Sequence, residues 1–274
     1  MVFLILDRAG VRAGDFQMLS PDKRAALVIG HPGHELRVFH WLERARPVVF
    51  VLTDGSGRSG HTRLPSTTRI LDQTGASKGS FYGRLTDGQA YQAILNRDCD
   101  LFIELARELA RFLVDETIGY VAGDAAEGYN PTHDVCRLVI GAAVKMANRC
   151  GVNEVANFDF SLTWPADRNV GNHDLRIELD DEAFARKMAA AHSYSGLESE
   201  VREAIDRNPE RAFRVECLRP VGNEEMGLGQ NDKPYYEEFG EKRVAAAKYS
   251  EVIRYREHVL PLAKALRQSA TLEF

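Results

Sequence analysis

Three short apolar runs limit the fold of this chain more than any other feature. They are residues 25–29, 48–52 and 118–122, and each one ends at a loop that begins with Gly or Thr-Asp-Gly. Each run has the length of a strand buried on both faces, and segments with helical spacing of apolar residues, such as 100–115, lie between them. Buried strands that alternate with amphipathic helices predict a mostly parallel sheet sandwiched by helices, which is an α/β fold.

The rest of the chain extends this pattern without an internal repeat or a Gly/Ser linker. We therefore expect a single domain over residues 1–274, with residues 193–274 as a candidate C-terminal extension. The apolar residues 3–6 predict a short strand or a packing segment. Further helices are predicted over residues 34–45, 66–75, 88–96, 132–148, 181–192 and, for the most part, 242–265, and further strands over 155–162 and 213–218.

Composition excludes several classes of protein. The formal net charge is -5, and no basic block carries interleaved aromatic residues, so we expect no nucleic-acid partner. No segment reaches the roughly 18 apolar residues of a membrane span, and no signal peptide is recognised, so we expect no membrane partner. The four cysteines lack C-x-x-C spacing, which favours free thiols in a cytoplasmic protein. The charged, tyrosine-rich residues 240–259 predict a helix for packing or for homo-oligomer formation.

Polar side chains follow each of the three apolar runs. His31 and His34 follow the first, Asp54 follows the second, and Asn130 and His133 come after the third. Ligands bind beyond the carboxyl ends of the strands in an open parallel sheet, so these side chains should face one region if the strands are neighbours. Three imidazoles with an open fourth position are typical of catalytic zinc. The spacing alone also fits histidines of a loop or a helix cap.

The order of these motifs resembles that of the PIG-L/LmbE-like zinc deacetylases, which include enzymes that remove acetyl groups from N-acetylglucosamine conjugates. Where the family has a strand and then His-Pro-Asp-Asp-Glu, this chain has His-Pro-Gly-His-Glu at residues 31–35. A Thr-Asp-Gly loop occupies residues 53–55, and Asn-Pro-Thr-His at 130–133 stands in place of the family's His-Pro-Asp-His. The resemblance extends over residues 25–196 and implies a Rossmann-like, LmbE-like fold.

The resemblance also implies a cofactor and a substrate site. It places a single Zn²⁺ on His31, His34 and His133, with His34 in place of the family's Asp ligand. The family's oxyanion-stabilising histidine maps to Asn130, whose side-chain amide can donate a hydrogen bond to an oxyanion instead. It implies a sugar-like small-molecule substrate in contact with two further side chains, Arg69 and Asp87. Tyr129, beside Asn130, is expected either to line the pocket or to pack.

One position departs from the family in a way that affects the chemistry. The family's general base maps to Gly33, which has no side chain. An amine leaving group must be protonated as it departs, so another acid is needed. We select Asp54, for which a role in the turn is the alternative. The other candidate acids are Glu35, Asp124, Glu127 and Asp134.

The predicted function is therefore a zinc-dependent hydrolase that removes an acyl group, most simply N-acetyl, from an amino-sugar-like metabolite. Two alternatives remain open at this point. One is a family member that binds metal and a sugar-like ligand without deacetylation. The other is an esterase on the same scaffold, whose leaving group needs less help from an acid.

Overall fold

The computed structural model describes residues 23–57, 60–150, 153–163, 174–208, 210–222 and 233–272. The predicted segment at residues 3–6 lies outside these ranges. Within them, seven strands form one sheet in the order β3-β2-β1-β4-β5-β7-β6. The strands are β1 (Ala25–Ile29), β2 (Val48–Thr53), β3 (Ser77–Leu85), β4 (Tyr120–Asp124), β5 (Ala156–Phe160), β6 (Leu175–Glu178) and β7 (Val215–Pro220).

Strands β1 to β5 run parallel to their neighbours, and β7 runs antiparallel to both β5 and β6. The prediction of an α/β fold with a mostly parallel sheet flanked by helices is confirmed. The described helices are α1 (Phe39–Ala45), α2 (Leu64–Thr74), α3 (Asp87–Leu95), α4 (Cys99–Asp115), α5 (Pro131–Cys150), α6 (Asp181–His192), α7 (Glu198–Arg207), α8 (Tyr235–Ala245) and α9 (Leu260–Ser269).

Strand β1 shows why its sequence is apolar at every position. Ala26 and Val28 belong to the core on the side of α4, α5 and α9, whereas Leu27 and Ile29 belong to the core on the side of α1 and α2. All five residues of the strand are buried. A strand covered by helices on both faces has no solvent side, so polar residues have no place in it.

The C-terminal part differs from its predicted form. Residues 242–265 were expected to be mostly helical, and this expectation is wrong for residues 246–254. Helix α8 ends near Ala247, whose φ of 52° is left-handed, and a π-helical turn at Tyr255–Val259 then leads into α9. A left-handed residue stops the intrahelical hydrogen bonds from continuing, which explains the break. No helix among the described residues has both the length and the apolar character needed to cross a membrane.

The chain connections create the place where a site can form. From β1 the chain passes to β2 and β3 on one side, while β4 and β5 lie on the other side. Because the loops that follow β1 and β4 leave in opposite directions, a crevice opens at the carboxyl ends of these two strands. The predicted histidines all lie at this crevice.

Candidate metal centre

Three imidazoles meet at the carboxyl ends of β1 and β4. His31 and His34 follow β1, and His133 lies in the first turn of α5. The ring centroids are 5.4 Å apart for His31 and His34, 5.0 Å for His31 and His133, and 4.6 Å for His34 and His133. Three imidazoles bound tetrahedrally to zinc, with Zn–N bonds of about 2.0–2.1 Å, would have centroids about 5 Å apart. The centroid distances are therefore compatible with three imidazoles around one zinc ion.

Two of the rings are oriented by carboxylates. The Nδ1 atom of His31 lies 3.0 Å from Oδ1 of Asp87, and Nδ1 of His34 lies 2.8 Å from Oδ2 of Asp124. The Thr53 hydroxyl donates to the Gly30 carbonyl, so its oxygen is free to accept from His31 Nδ1 at 2.7 Å. With acceptors on both Nδ1 atoms, these nitrogens carry the hydrogens and the Nε2 lone pairs are left for a ligand.

Asp124 joins the loop after β1 to the end of β4. It is fully buried, and its Oδ2 accepts from the Gly30 backbone N–H at 2.7 Å as well as from His34. A Cβ on Gly30 would lie 3.1 Å from that oxygen and 3.6 Å from Cδ2 of His133, so a glycine here leaves room for both side chains. The second oxygen, Oδ1, is buried without a hydrogen-bond partner among the described residues. A buried carboxylate oxygen without a partner is costly unless a positive charge lies nearby.

The protonation of the cluster suits metal binding. Burial lowers the pKa of His31, although the hydrogen bond to Asp87 acts in the opposite direction. Burial and the nearby His34 and His31 lower the pKa of His133 well below its usual value. Burial would raise the pKa of Asp87, but the hydrogen bond from His31 holds it well below the usual range. Neutral imidazole is the form that binds zinc.

The fit to zinc is close but not complete. As the side chains stand, the described ranges contain no group of three or more His, Cys, Asp or Glu side chains that could hold a metal ion. The donor type, the centroid spacing, the burial and the unpaired Asp124 oxygen all suit a zinc ion. The three rings are close together, but as they stand they do not form a complete set of metal ligands.

Gly33 occupies a position that disfavours a side chain. Its φ of 108° is left-handed, and a Cβ built on it would overlap Cδ1 of Leu197. Its backbone N–H donates to Oε2 of Glu35 at 2.7 Å, and Glu35 is fully buried. A base at this position would therefore need a left-handed backbone on a non-glycine residue and a shift of the partly exposed Leu197 side chain.

Asn130 lies beside the imidazole cluster, at the start of α5. Its Oδ1 accepts from the Thr132 N–H at 2.9 Å, which caps the start of α5, and its Nδ2 lies 3.5 Å from Nε2 of His31. Capping fixes the side chain so that the NH₂ group is directed toward the imidazoles. Tyr129, the preceding residue, is 51% exposed and lines the same cavity as His31 and Asp87.

The structure does not bring two of the predicted residues into this cavity. Arg69 lies on the exposed side of α2, where its Nη2 donates to Ser66 Oγ at 3.3 Å. Asp54 stabilises the loop after β2, because its Oδ1 accepts from the Ser56 N–H at 2.9 Å and its carbonyl accepts from the Arg63 N–H. Neither residue lines the cavity that contains His31.

The remaining candidate acids also have structural partners. Glu127 accepts from Ser161 Oγ at 2.6 Å and from the Leu162 N–H at 3.0 Å. Asp134 accepts from the Gly128 N–H at 3.2 Å, and burial raises its pKa to about 7. These carboxyl groups hold the loops around the histidines in place.

The cavity has a volume of about 580 Å³, and sequence reasoning missed much of its lining. Five aromatic residues from α3, α8 and the segment after α8 contribute to the lining. They are Tyr91, Tyr235, Tyr236, Phe239 and Tyr249. Of these residues, Tyr249 lies in the segment 240–259, for which the sequence predicts a packing or oligomer helix, and the sequence indicates no site role for the other four.

Neither a protein-family model nor a curated protein matches this chain. Among the solved structures, the chain is similar to the crystal structure of a triple mutant of a deacetylase involved in the teicoplanin biosynthetic pathway. The sequence identity is 15%, the TM-score is 0.47, and the match covers 74% of this chain and 99% of the other. A similarity at this level carries no argument about chemistry, so the function rests on the side chains of the site.

Proposed function

We propose that this protein is a zinc-dependent hydrolase that removes an acyl group, most simply N-acetyl, from an amino-sugar-like small molecule. The observation that carries the proposal is the cluster of His31, His34 and His133, two of whose Nδ1 atoms are held by buried or half-buried carboxylates. The resemblance of the motif order to the PIG-L/LmbE-like deacetylases supports the same conclusion.

The three histidines are the residues that would hold the metal. Zinc, when bound, acts as a Lewis acid that polarises the acyl carbonyl and makes water a better nucleophile near neutral pH. Asp87 and Asp124 keep His31 and His34 in the tautomer that presents Nε2. Burial of the cluster keeps competing solvent from the imidazoles, because His31 and His133 are only 7% and 8% exposed.

Asn130 is proposed to stabilise the charge that develops on the acyl oxygen. Its Nδ2 is directed toward the histidines, and its Oδ1 is held by the backbone at the start of α5. A donor held in place before the reaction needs no reorganisation when the charge forms, and such donors contribute about 3 kcal/mol to transition-state stabilisation.

An esterase is the second candidate function, because an amine leaving group needs a proton donor and the described lining of the cavity offers no suitable acid. Asp87 is the carboxyl group among the described residues that lines the cavity, and its low pKa makes it an acceptor rather than an acid. Asp54 would have to leave its hydrogen bond with Ser56 to reach the cavity. An O-acyl ester has a leaving group that needs less protonation than an amine, so the same site would cleave it with less help.

Metal analysis combined with two assays tests these proposals. Protein purified without chelator should contain about one zinc ion per chain, and it should hydrolyse N-acetylated or O-acetylated sugars. His133→Gln should lose both zinc and activity, while His192→Gln, an exposed histidine at the end of α6, serves as the matched control. Zinc without turnover of either substrate would favour a binding role, and turnover in His133→Gln would contradict the proposed site.

A further inference from the structure

A second cavity lies between the sheet and the helices α6 and α7, and the chemistry above does not use it. Its volume is about 180 Å³, and β5, β7, α6 and α7 all contribute to its walls. We call it the α7 pocket. Gly33 forms part of one wall, but His31, His34 and His133 are not among the described residues that line it. The α7 pocket is therefore a separate cavity from that of the proposed metal centre.

Helix α7 presents an apolar face to this pocket without burying it. Val201, Ala204 and Ile205 are spaced by three and four positions, which places them on one side of the helix, and all three line the pocket. Each of them is partly exposed, and the other residues of α7 are at least as accessible. An amphipathic helix normally gains its stability by burying its apolar face. The apolar face of α7 thus borders a space that the described side chains leave unfilled.

The rest of the wall is largely apolar as well. Leu36, Phe160 and Val215 line the pocket and are buried in the protein, and the partly exposed Met188 and Leu197 also line it. An apolar cavity of roughly 150 Å³ engineered in another protein stays free of water and binds benzene. With about 180 Å³, the α7 pocket has room for a molecule of the size of one small ring. Pockets that enclose drug-sized ligands are larger, at about 300–1,000 Å³.

The inner polar side chains of the wall already have partners within the protein. Lys187 Nζ donates to Glu216 Oε1 at 2.9 Å. Arg37 Nε donates to the Ser161 carbonyl at 3.1 Å, and Ser161 Oγ donates to Glu127 at 2.6 Å. A carboxylate ligand would have to compete with Glu216 for Lys187, and an ammonium ligand would meet the cations of Lys187 and Arg37. The charges of the wall therefore match an uncharged ligand.

We propose that the α7 pocket binds a small, uncharged apolar molecule of about one ring, of the class of simple benzene derivatives. Such a ligand would bury the apolar face of α7 together with its own surface, and the removal of both from water drives binding. Glu200, the acidic side chain among the described lining residues, is exposed on α7, so water solvates its charge. This inference goes beyond the proposed function and does not depend on it.

Methyl NMR of the intact protein, with ¹³C in the methionine methyl groups, tests this proposal. Met188 lines the pocket, whereas Met146 belongs to the core on the side of α4, α5 and α9 and serves as the internal reference. Toluene is the neutral probe, and benzoate and benzylammonium are charged probes of similar size. Toluene should shift the Met188 signal with a Kd of about 1 mM or below and leave Met146 unchanged. Both charged probes should bind at least about tenfold more weakly.

Substitutions that fill the pocket should abolish this binding. Ala204→Phe is expected to weaken toluene binding at least about tenfold, because the new ring occupies the space that the probe needs. Arg202→Phe adds the same side chain at an exposed position of α7 and should bind toluene as the wild type does. Ala191→Leu, on the α6 side of the pocket, is a second, milder filling variant in case Ala204→Phe does not fold, which circular dichroism will show.

Three results would overturn the proposal. They are a Met188 signal that toluene leaves unchanged, a charged probe that binds as tightly as toluene, and unchanged toluene binding in a folded filling variant. Loss of binding in the filling variants with retention in Arg202→Phe would support it. Zinc content and hydrolysis are measured separately on the wild type, so the proposed function and the α7 pocket can fail independently.

Discussion

The Nδ1 atom of His34 lies 2.8 Å from Oδ2 of Asp124, and the same oxygen accepts the backbone N–H of Gly30 at 2.7 Å. One buried carboxylate at the end of β4 therefore orients a candidate ligand and fixes the loop after β1. The two sides of the crevice are joined at the point where a metal would bind, so the cluster depends on the sheet order as well as on the motifs.

Asp124→Asn should weaken zinc binding about 10- to 100-fold, because the amide cannot support the His34 tautomer as a carboxylate does. Competition with a chromophoric chelator measures the affinity. Asp181→Asn, whose side chain is 94% exposed on α6, is the control and should bind zinc as the wild type does. An Asp124→Asn protein with unchanged affinity would show that Asp124 does not orient a ligand.

Gly33→Ala should destabilise the protein by about 2–4 kcal/mol, since it adds an overlap with Leu197 to the cost of a left-handed non-glycine residue. Gly60→Ala is the matched control, because Gly60 also has a positive φ, of 69°, but its Cβ would meet no atom within 4 Å. Urea unfolding gives both free energies. Equal losses in the two variants would mean that the overlap with Leu197 is relieved at little cost. The same strain means that Gly33→Asp is a poor way to restore a base.

Glu216→Ala should cost about 3–5 kcal/mol of stability, because it removes a buried charge that several groups share. Glu216 is fully buried, and it accepts from Lys187 Nζ at 2.9 Å and from the backbone N–H groups of His40 and Trp41 at the start of α1. Glu178→Ala, an exposed partner of an arginine, should cost less than about 1 kcal/mol. Thermal or urea unfolding compares the two, and similar losses would refute the role given to Glu216.

Native protein at pH 8 should be alkylated by iodoacetamide at Cys150 well before Cys136 or Cys217. Burial raises the pKa of Cys136 well above its usual value and that of Cys217 to about 12, whereas Cys150 is exposed at the end of α5. The thiolate is the reactive form, so a raised pKa and burial both slow the reaction. Peptide mass spectrometry locates the label, with urea-unfolded protein as the control in which all four thiols react. Early labelling of Cys217 would contradict its position in the core.

Much of the fold could be predicted because its central strands are apolar at every position. The runs that became β1, β2 and β4 have no solvent side, and the helices between them bury one apolar face. Strand β3 could not be found this way, since it lies at the sheet edge, most of its residues are at least partly exposed, and it contains Gly79 and Gly83. Strand β6 has only four residues, which is too short for a clear pattern.

Only part of the site, too, could be predicted from the sequence. His31, His34 and His133 could be placed together because strand ends converge in a parallel sheet, and the structure brings them together. The orienting role of Asp87 depends on the geometry of the loop before α3, which spacing does not reveal, so it was assigned to the substrate instead. The aromatic part of the cavity lining depends on the contact between α8 and the loop after β4, where the Tyr236 N–H donates to the Gly128 carbonyl. No local sequence pattern indicates this long-range contact.

Zinc K-edge X-ray absorption of the purified protein tests the central claim most directly. We expect one zinc ion with four nitrogen or oxygen neighbours at about 2.0–2.1 Å and the multiple scattering of three imidazoles. His133→Gln should lose the zinc signal. A six-coordinate oxygen environment, or no zinc at all in protein prepared without chelator, would contradict the assignment of His31, His34 and His133 as its ligands.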